Sequence, residues 1–118
     1  MIILGIDPGL HRVGLGIVRS EGREMEALAW MISETSPMKD RGERLVEITG
    51  DLKQVIKKYN PDLAVVEKIY FQKNVKTAIG VAEARGVVLI TLSEAGIPYL
   101  EPGPREVKLA VTGDGNAD

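Results

Sequence analysis

Two carboxylates stand out by where they fall in the chain. The sequence opens Met1-Ile2-Ile3-Leu4-Gly5-Ile6-Asp7-Pro8-Gly9, an apolar run that stops at an aspartate and then turns at Pro-Gly. The stretch Asp62-Leu63-Ala64-Val65-Val66-Glu67 repeats the device with a glutamate. A buried strand that ends in an acid presents that charge at the end of a sheet, where a metal ion can sit. Two such strands side by side would hold two carboxylates over one ion. Hard divalent cations take oxygen ligands, and Mg²⁺ binds one or two carboxylates together with water and substrate phosphate.

The elements that must position these acids follow from hydrophobic periodicity. Residues 2–6 read as a buried strand, continuous rather than alternating in hydrophobicity. Val13, Leu15 and Ile17 alternate with Gly14, Gly16 and Val18, which predicts a second strand over 12–19. Its glycines would let a backbone or a phosphate approach closely. Glu21-Gly22 makes a turn, and 24–32 reads as a third strand, closing an antiparallel meander. The period then changes. Leu45, Ile48, Leu52, Val55, Ile56 and Tyr59 recur at helical spacing, so 39–59 is an amphipathic helix ended by Asn60-Pro61. Residues 62–67 form a fourth strand, 73–95 a second helix ended by Gly96, 97–100 a fifth strand and 104–111 a third helix with Pro104 in its first turn. The order β-β-β-α-β-α-β-α makes strands four and five parallel through a right-handed crossover. For Glu67 to stand beside Asp7, strand four must lie next to strand one and run the same way.

Bulk properties narrow the class. With 118 residues, 44% hydrophobic and 27% charged, the chain reads as one soluble domain with a modest core. There is no cysteine, hence no disulfide and no thiolate metal site, which fits a reducing cytosol. No apolar stretch is long enough to span a bilayer, and the run starting at Met1 lacks the basic leader of a signal peptide. A cytoplasmic location is expected. The net charge of −2 argues weakly against a nucleic-acid binder, although basic residues clustered on one face override net charge. The sequence stops in the polar, turn-like stretch Thr112 to Asp118.

Taken together, Leu4-Gly5-Ile6-Asp7-Pro8-Gly9, Gly14-Leu15-Gly16, the run Val66-Glu67-Lys68-Ile69-Tyr70-Phe71-Gln72-Lys73-Asn74, Glu83-Ala84-Arg85-Gly86, Arg105-Glu106-Val107-Lys108 and Val111 to Gly115 resemble the RuvC family of Holliday-junction resolvases. The resemblance covers nearly the whole chain. It implies a single ribonuclease-H-like domain over 1–118, an α/β fold whose mixed five-stranded sheet has three antiparallel strands plus two parallel ones and is flanked by helices. It implies a structure-specific endonuclease of recombination and repair that hydrolyses DNA phosphodiesters with Mg²⁺, for which Mn²⁺ substitutes. Asp7 and Glu67 match two of the family's four metal-binding acids. Lys108 matches a lysine near the scissile phosphate, and Tyr70 or Phe71 the aromatic that stacks on a base near the junction centre. The resemblance further implies a four-way DNA junction as substrate, a homodimer paired through the helix beginning near Lys73, and a branch-migration motor complex as partner. The family's other two acids lie on a C-terminal helix beyond position 118, so the resemblance implies a C-terminally truncated resolvase with low activity.

Plainer readings stand beside these. Asp before Pro-Gly is a common turn residue. Lys73, Asn74, Lys76, Arg85, Arg105 and Lys108 are either DNA contacts or simply a solvated face. Of the two adjacent aromatics one packs inward, and Tyr70 is expected to be the outward one. His11, the lone histidine, is expected in a turn or on the surface rather than in catalysis. Two other function classes remain open: a junction-binding domain without catalysis, and an actin-like phosphate- or nucleotide-binding domain, whose first phosphate motif also reads strand, Asp, glycine-rich hairpin. The second helix carries Val75, Ile79, Ala82, Gly86 and Ile90 on one side, more than a small sheet needs, which predicts a two-fold contact through this helix.

Overall fold

The computed structural model describes residues 1–9, 11–67 and 75–103; within this range the side chains of Val75 and Lys76 are also left aside. The order is β1 (Ile2–Pro8), β2 (Arg12–Glu21), β3 (Glu24–Glu34), α1 (Arg41–Tyr59), β4 (Leu63–Val66), α2 (Val75–Glu94) and β5 (Tyr99–Leu100). The expected helix over 104–111 lies outside the described residues.

The strands form one five-stranded sheet in the order β3-β2-β1-β4-β5. β1, β2 and β3 pair antiparallel, whereas β4 pairs parallel to β1 and to β5. The mixed sheet expected from sequence is therefore present. Each strand shows one face to the helices. Leu4, Ile6, Val13, Leu15, Ala64 and Val66 point that way, and Ile48, Leu52 and Val55 of α1 with Val88 and Leu92 of α2 close over them. The alternate residues of β1 and β2, Gly5, Asp7, Gly14 and Gly16, belong to the opposite face.

The ends of the elements have identifiable causes. Asp40 caps α1, its carboxylate accepting the Glu43 N–H at 2.8 Å, so the helix starts slightly later than its apolar pattern suggests. Asn60 ends it in the left-handed region at φ 45°. Gly96, at φ +73°, ends the chain's turn out of α2, and the Ile97 N–H donates back to the Leu92 carbonyl at 3.0 Å. Ile97 is thereby spent on closing the helix and filling the core, which shortens the fifth strand from the expected 97–100 to Tyr99–Leu100. β1 and β2 run on to Pro8 and Glu21, and β3 to Glu34, because the hairpin ladders carry past the apolar runs. Among the described residues no helix is long and apolar enough to cross a membrane.

Leu52, 1% exposed, faces the sheet from the middle of α1. Leu52→Ala is expected to cost about 2–5 kcal/mol through lost burial and a residual cavity. Urea unfolding should show a lower midpoint with an unchanged slope; a midpoint unaffected by the substitution would mean that α1 does not pack as described.

Candidate metal and phosphate site

Asp7 and Glu67 end neighbouring parallel strands. The register pairs Ile6 with Val66, and the Glu67 N–H donates to the Ile6 carbonyl at 3.2 Å. Ile6 and Val66 are buried in the core, so the residues that follow them, Asp7 and Glu67, both belong to the face opposite the helices. Adjacent strands lie about 4.8 Å apart, so the two acids stand side by side at the same end of the sheet. Asp7 is exposed and Glu67 half-buried.

The turn after Asp7 has little freedom. A Cβ on Gly9 would lie 2.5 Å from the Arg12 carbonyl oxygen, a backbone atom that cannot step aside. Only glycine permits this close return of the chain. Gly14 pairs with Asp7 across the hairpin, and a Cβ there would sit 3.6 Å from the Asp7 Cβ. The missing side chain keeps the space beside the carboxylate open. Asp7, Gly9, His11, Arg12, Gly14, Trp30 and Ile32 line an open cavity of about 530 Å³.

His11 sits in the turn before β2, as expected from sequence, and its Nδ1 lies 2.6 Å from Nη1 of Arg44 on α1. Its carbonyl accepts the Thr35 N–H at 3.0 Å, so the residue ties the turn to the start of the α1 segment. Arg85 departs from both of its expected readings, DNA contact and solvated face. Rather than offering its charge to solvent for phosphate, it is largely buried, with a side chain 16% exposed. It donates from Nη1 to the Glu67 carbonyl and from Nη2 to the Glu101 carboxylate, both at 2.5 Å. The Glu67 backbone is thus held on one side by β1 and on the other by α2. The Glu83-Ala84-Arg85-Gly86 run marked the position, but no spacing rule places Arg85 beneath Glu67. Trp30 and Arg12 also line the cavity, a position that no sequence spacing marks.

Of the other residues expected at the site, Tyr70, Phe71, Lys73, Asn74, Arg105 and Lys108 lie outside the described residues, as does the side chain of Lys76. Among the described residues no group of three or more His, Cys, Asp or Glu converges on one point. The arrangement offers two hard oxygen donors, enough for one divalent ion that completes its shell with water and phosphate.

Comparison with known proteins gives a consistent result. A family model described as crossover junction endodeoxyribonuclease RuvC matches residues 3–118. A crossover junction endodeoxyribonuclease RuvC of Synechococcus sp. (strain WH7803) is 49% identical over 118 residues, covering all of this chain and 76% of the relative. The Thermus thermophilus RuvC structure superposes with a TM-score of 0.91 at 35% identity, covering all of this chain and 73% of that one. T. thermophilus RuvC in complex with a Holliday junction substrate gives a TM-score of 0.94 at 34% identity, covering all of this chain and 72% of that one.

The Arg85 clamp can be checked directly. Arg85→Met keeps a stem but removes both donors, leaving the Glu67 carbonyl and the Glu101 carboxylate without them. A loss of about 1–3 kcal/mol is expected, toward the lower end because Glu101 is partly open to water. Amide exchange at Glu67 should quicken by more than the global loss accounts for. A Glu67 amide as slow as before would show that pairing with β1 alone suffices.

Proposed function

We propose a role for each group of this site from one premise: the chain belongs to the RuvC family of crossover junction endodeoxyribonucleases, which resolve Holliday junctions. Nucleases of this family are metal-dependent. The observation that carries the assignment here is the adjacency of Asp7 and Glu67 on β1 and β4, locked by the Glu67 N–H to Ile6 carbonyl bond. Their donor chemistry suits Mg²⁺, with Mn²⁺ as substitute. Divalent ions bound there supply activation of the attacking water and stabilisation of the leaving oxygen. The carboxylates fix where that charge sits. Gly14 leaves room for a phosphate beside Asp7, Gly9 lets the chain turn back tightly after it, and the bond from Arg85 to the Glu67 carbonyl keeps the second acid from swinging away.

The family pattern supports Lys108 beside the scissile phosphate, Tyr70 or Phe71 stacked on a base at the junction centre, and Lys73, Asn74, Lys76 and Arg105 on flanking DNA. It also supports a branch-migration motor as a partner. A homodimer is supported by α2, where Ile79, Ala82, Gly86 and Ile90 are all exposed along one side of the helix. Such a stripe, repeated on a second copy, is self-complementary about a two-fold axis.

Asp7 and Glu67 bring two negative charges against the four positive charges of two divalent ions. Two such acids offset one divalent ion, so a second ion at the site needs further oxygen donors. Any Mg²⁺-dependent cleavage of a synthetic four-way junction should fall by about 10²–10³ in Asp7→Asn, a loss typical of a deleted electrostatic contact to the reacting group. Junction binding should persist. Equal cutting by Asp7→Asn would contradict the assignment. Junction binding by both proteins with cutting by neither would favour a junction-binding domain without catalysis. For the dimer, sedimentation of the chain should give twice the monomer mass, and Ile90→Glu should return it to one. A monomer at high micromolar concentration would remove the proposal.

A further inference from the structure

Among the described residues, the open face of the sheet carries one aromatic side chain with little over it. Trp30 on β3 is 72% exposed. A tryptophan is among the largest apolar surfaces a chain can bury, and leaving it in water forgoes that gain. Its floor, however, is built. Trp30 pairs with Gly16 across β2 and β3, and a Cβ on Gly16 would lie 3.7 Å from the indole Cδ1. The indole rests over glycine, and most of its surface stays open.

The position relates directly to the carboxylate site. Trp30 lines the same cavity as Asp7. Asp7 pairs with Gly14, Gly14 pairs with Ile32, and Trp30 follows on the same face one step along β3. Two strand spacings of ~4.8 Å and two rises of ~3.3 Å place Trp30 about 12 Å from Asp7. Stacked DNA advances ~3.4 Å per nucleotide along one strand, so this is a reach of about three nucleotides. Arg12 is exposed in the same cavity, and its guanidinium makes no ion pair with any of the described residues. Glu34 stands opposite Arg12 in the ladder without pairing with it, and an apolar protein segment laid over this surface would have to desolvate both charges, a costly arrangement. A nucleic-acid strand offers what both groups want: a base face for the indole and a phosphate for the guanidinium.

We propose that Trp30 and Arg12 form a strand-binding subsite, in which the indole stacks on a nucleobase about three nucleotides from the phosphate held at Asp7 and Arg12 neutralises an intervening phosphate. This rests on the reading of Asp7 as the hydrolytic site and specifies where the DNA strand runs from it. The subsite orients the strand; Trp30 and Arg12 take no part in bond breaking.

Trp30 is the chain's single tryptophan, so its fluorescence reports on this position alone. The 118-residue protein is titrated in EDTA with a fluorescently end-labelled four-way junction, following tryptophan emission and, separately, the anisotropy of the label. Saturating junction should quench the emission. Trp30→Leu should weaken binding about 5- to 100-fold, with Trp30→Phe recovering most of the loss. Arg12→Gln should lower the slope of log affinity against log salt by about one. Asp7→Asn should keep the quenching while losing cleavage, which separates this subsite from the hydrolytic site. Unquenched emission with the junction bound would overturn the proposal. So would emission that is already blue-shifted in the free protein and unmoved by DNA, since a protein segment would then cover the indole. If anisotropy shows no junction binding at all, the nuclease reading of this chain fails and the subsite falls with it.

Discussion

The parallel pairing of β1 with β4 is the constraint on which the rest depends. Side chains alternate along a strand, so a slip of one residue between these two would turn Glu67 into the core and Val66 out to water. The register is pinned at both ends. At the start, Asp62 and Ile2 exchange bonds, the Asp62 N–H to the Ile2 carbonyl at 2.8 Å and the Ile2 N–H to the Asp62 carboxylate at 2.7 Å. At the finish, the Glu67 N–H reaches the Ile6 carbonyl at 3.2 Å. Asp62 and Glu67 therefore divide two tasks within one short run. The carboxylate of the first serves the backbone, and that of the second is the one we assign to the metal.

That pairing also separates stability from function. The face that buries Leu4, Ile6, Ala64 and Val66 under α1 and α2 supplies the cohesion. On the opposite face, Asp7, Gly14 and Trp30 line an open cavity among the described residues. Glycines at Gly14 and Gly16 weaken strand packing, yet the ladder with β1 and β3 holds β2 in place. Arg85 works across the two regions: rooted in α2, it reaches the backbone of Glu67 and the carboxylate of Glu101, and so couples the helix layer to the end of β4.

Much of this was legible in the chain because the relevant signals are local. An apolar run ending in Asp7, another ending in Glu67, and the switch from period two to helical spacing after β3 all follow from nearest-neighbour chemistry. The parallel pairing of β4 with β5 followed from the crossover between them, and the neighbourhood of β1 and β4 from the need to bring two acids together. What stayed hidden depends on partners distant in sequence. Arg85 read as either a phosphate contact or one charge of a solvated face, because its charge was visible and its partner Glu101 was not. Ile97 read as part of a strand because its apolarity is the same whether it extends a sheet or, as here, closes α2 onto Leu92. Trp30 read as one more strand residue until its pairing with Gly16 placed it on the Asp7 side.

The central claim is that Asp7 and Glu67 act as one ligand set. Mn²⁺ binding measured by electron paramagnetic resonance on the chain, on Asp7→Asn, on Glu67→Gln and on the double variant tests it most directly. If both carboxylates hold the same ion, each single change weakens binding and the double change costs clearly less than the sum of the two, because the second substitution acts on a site already lost. Strictly additive losses, or affinity unchanged in either single variant, would show that the two acids do not share an ion and would contradict the account.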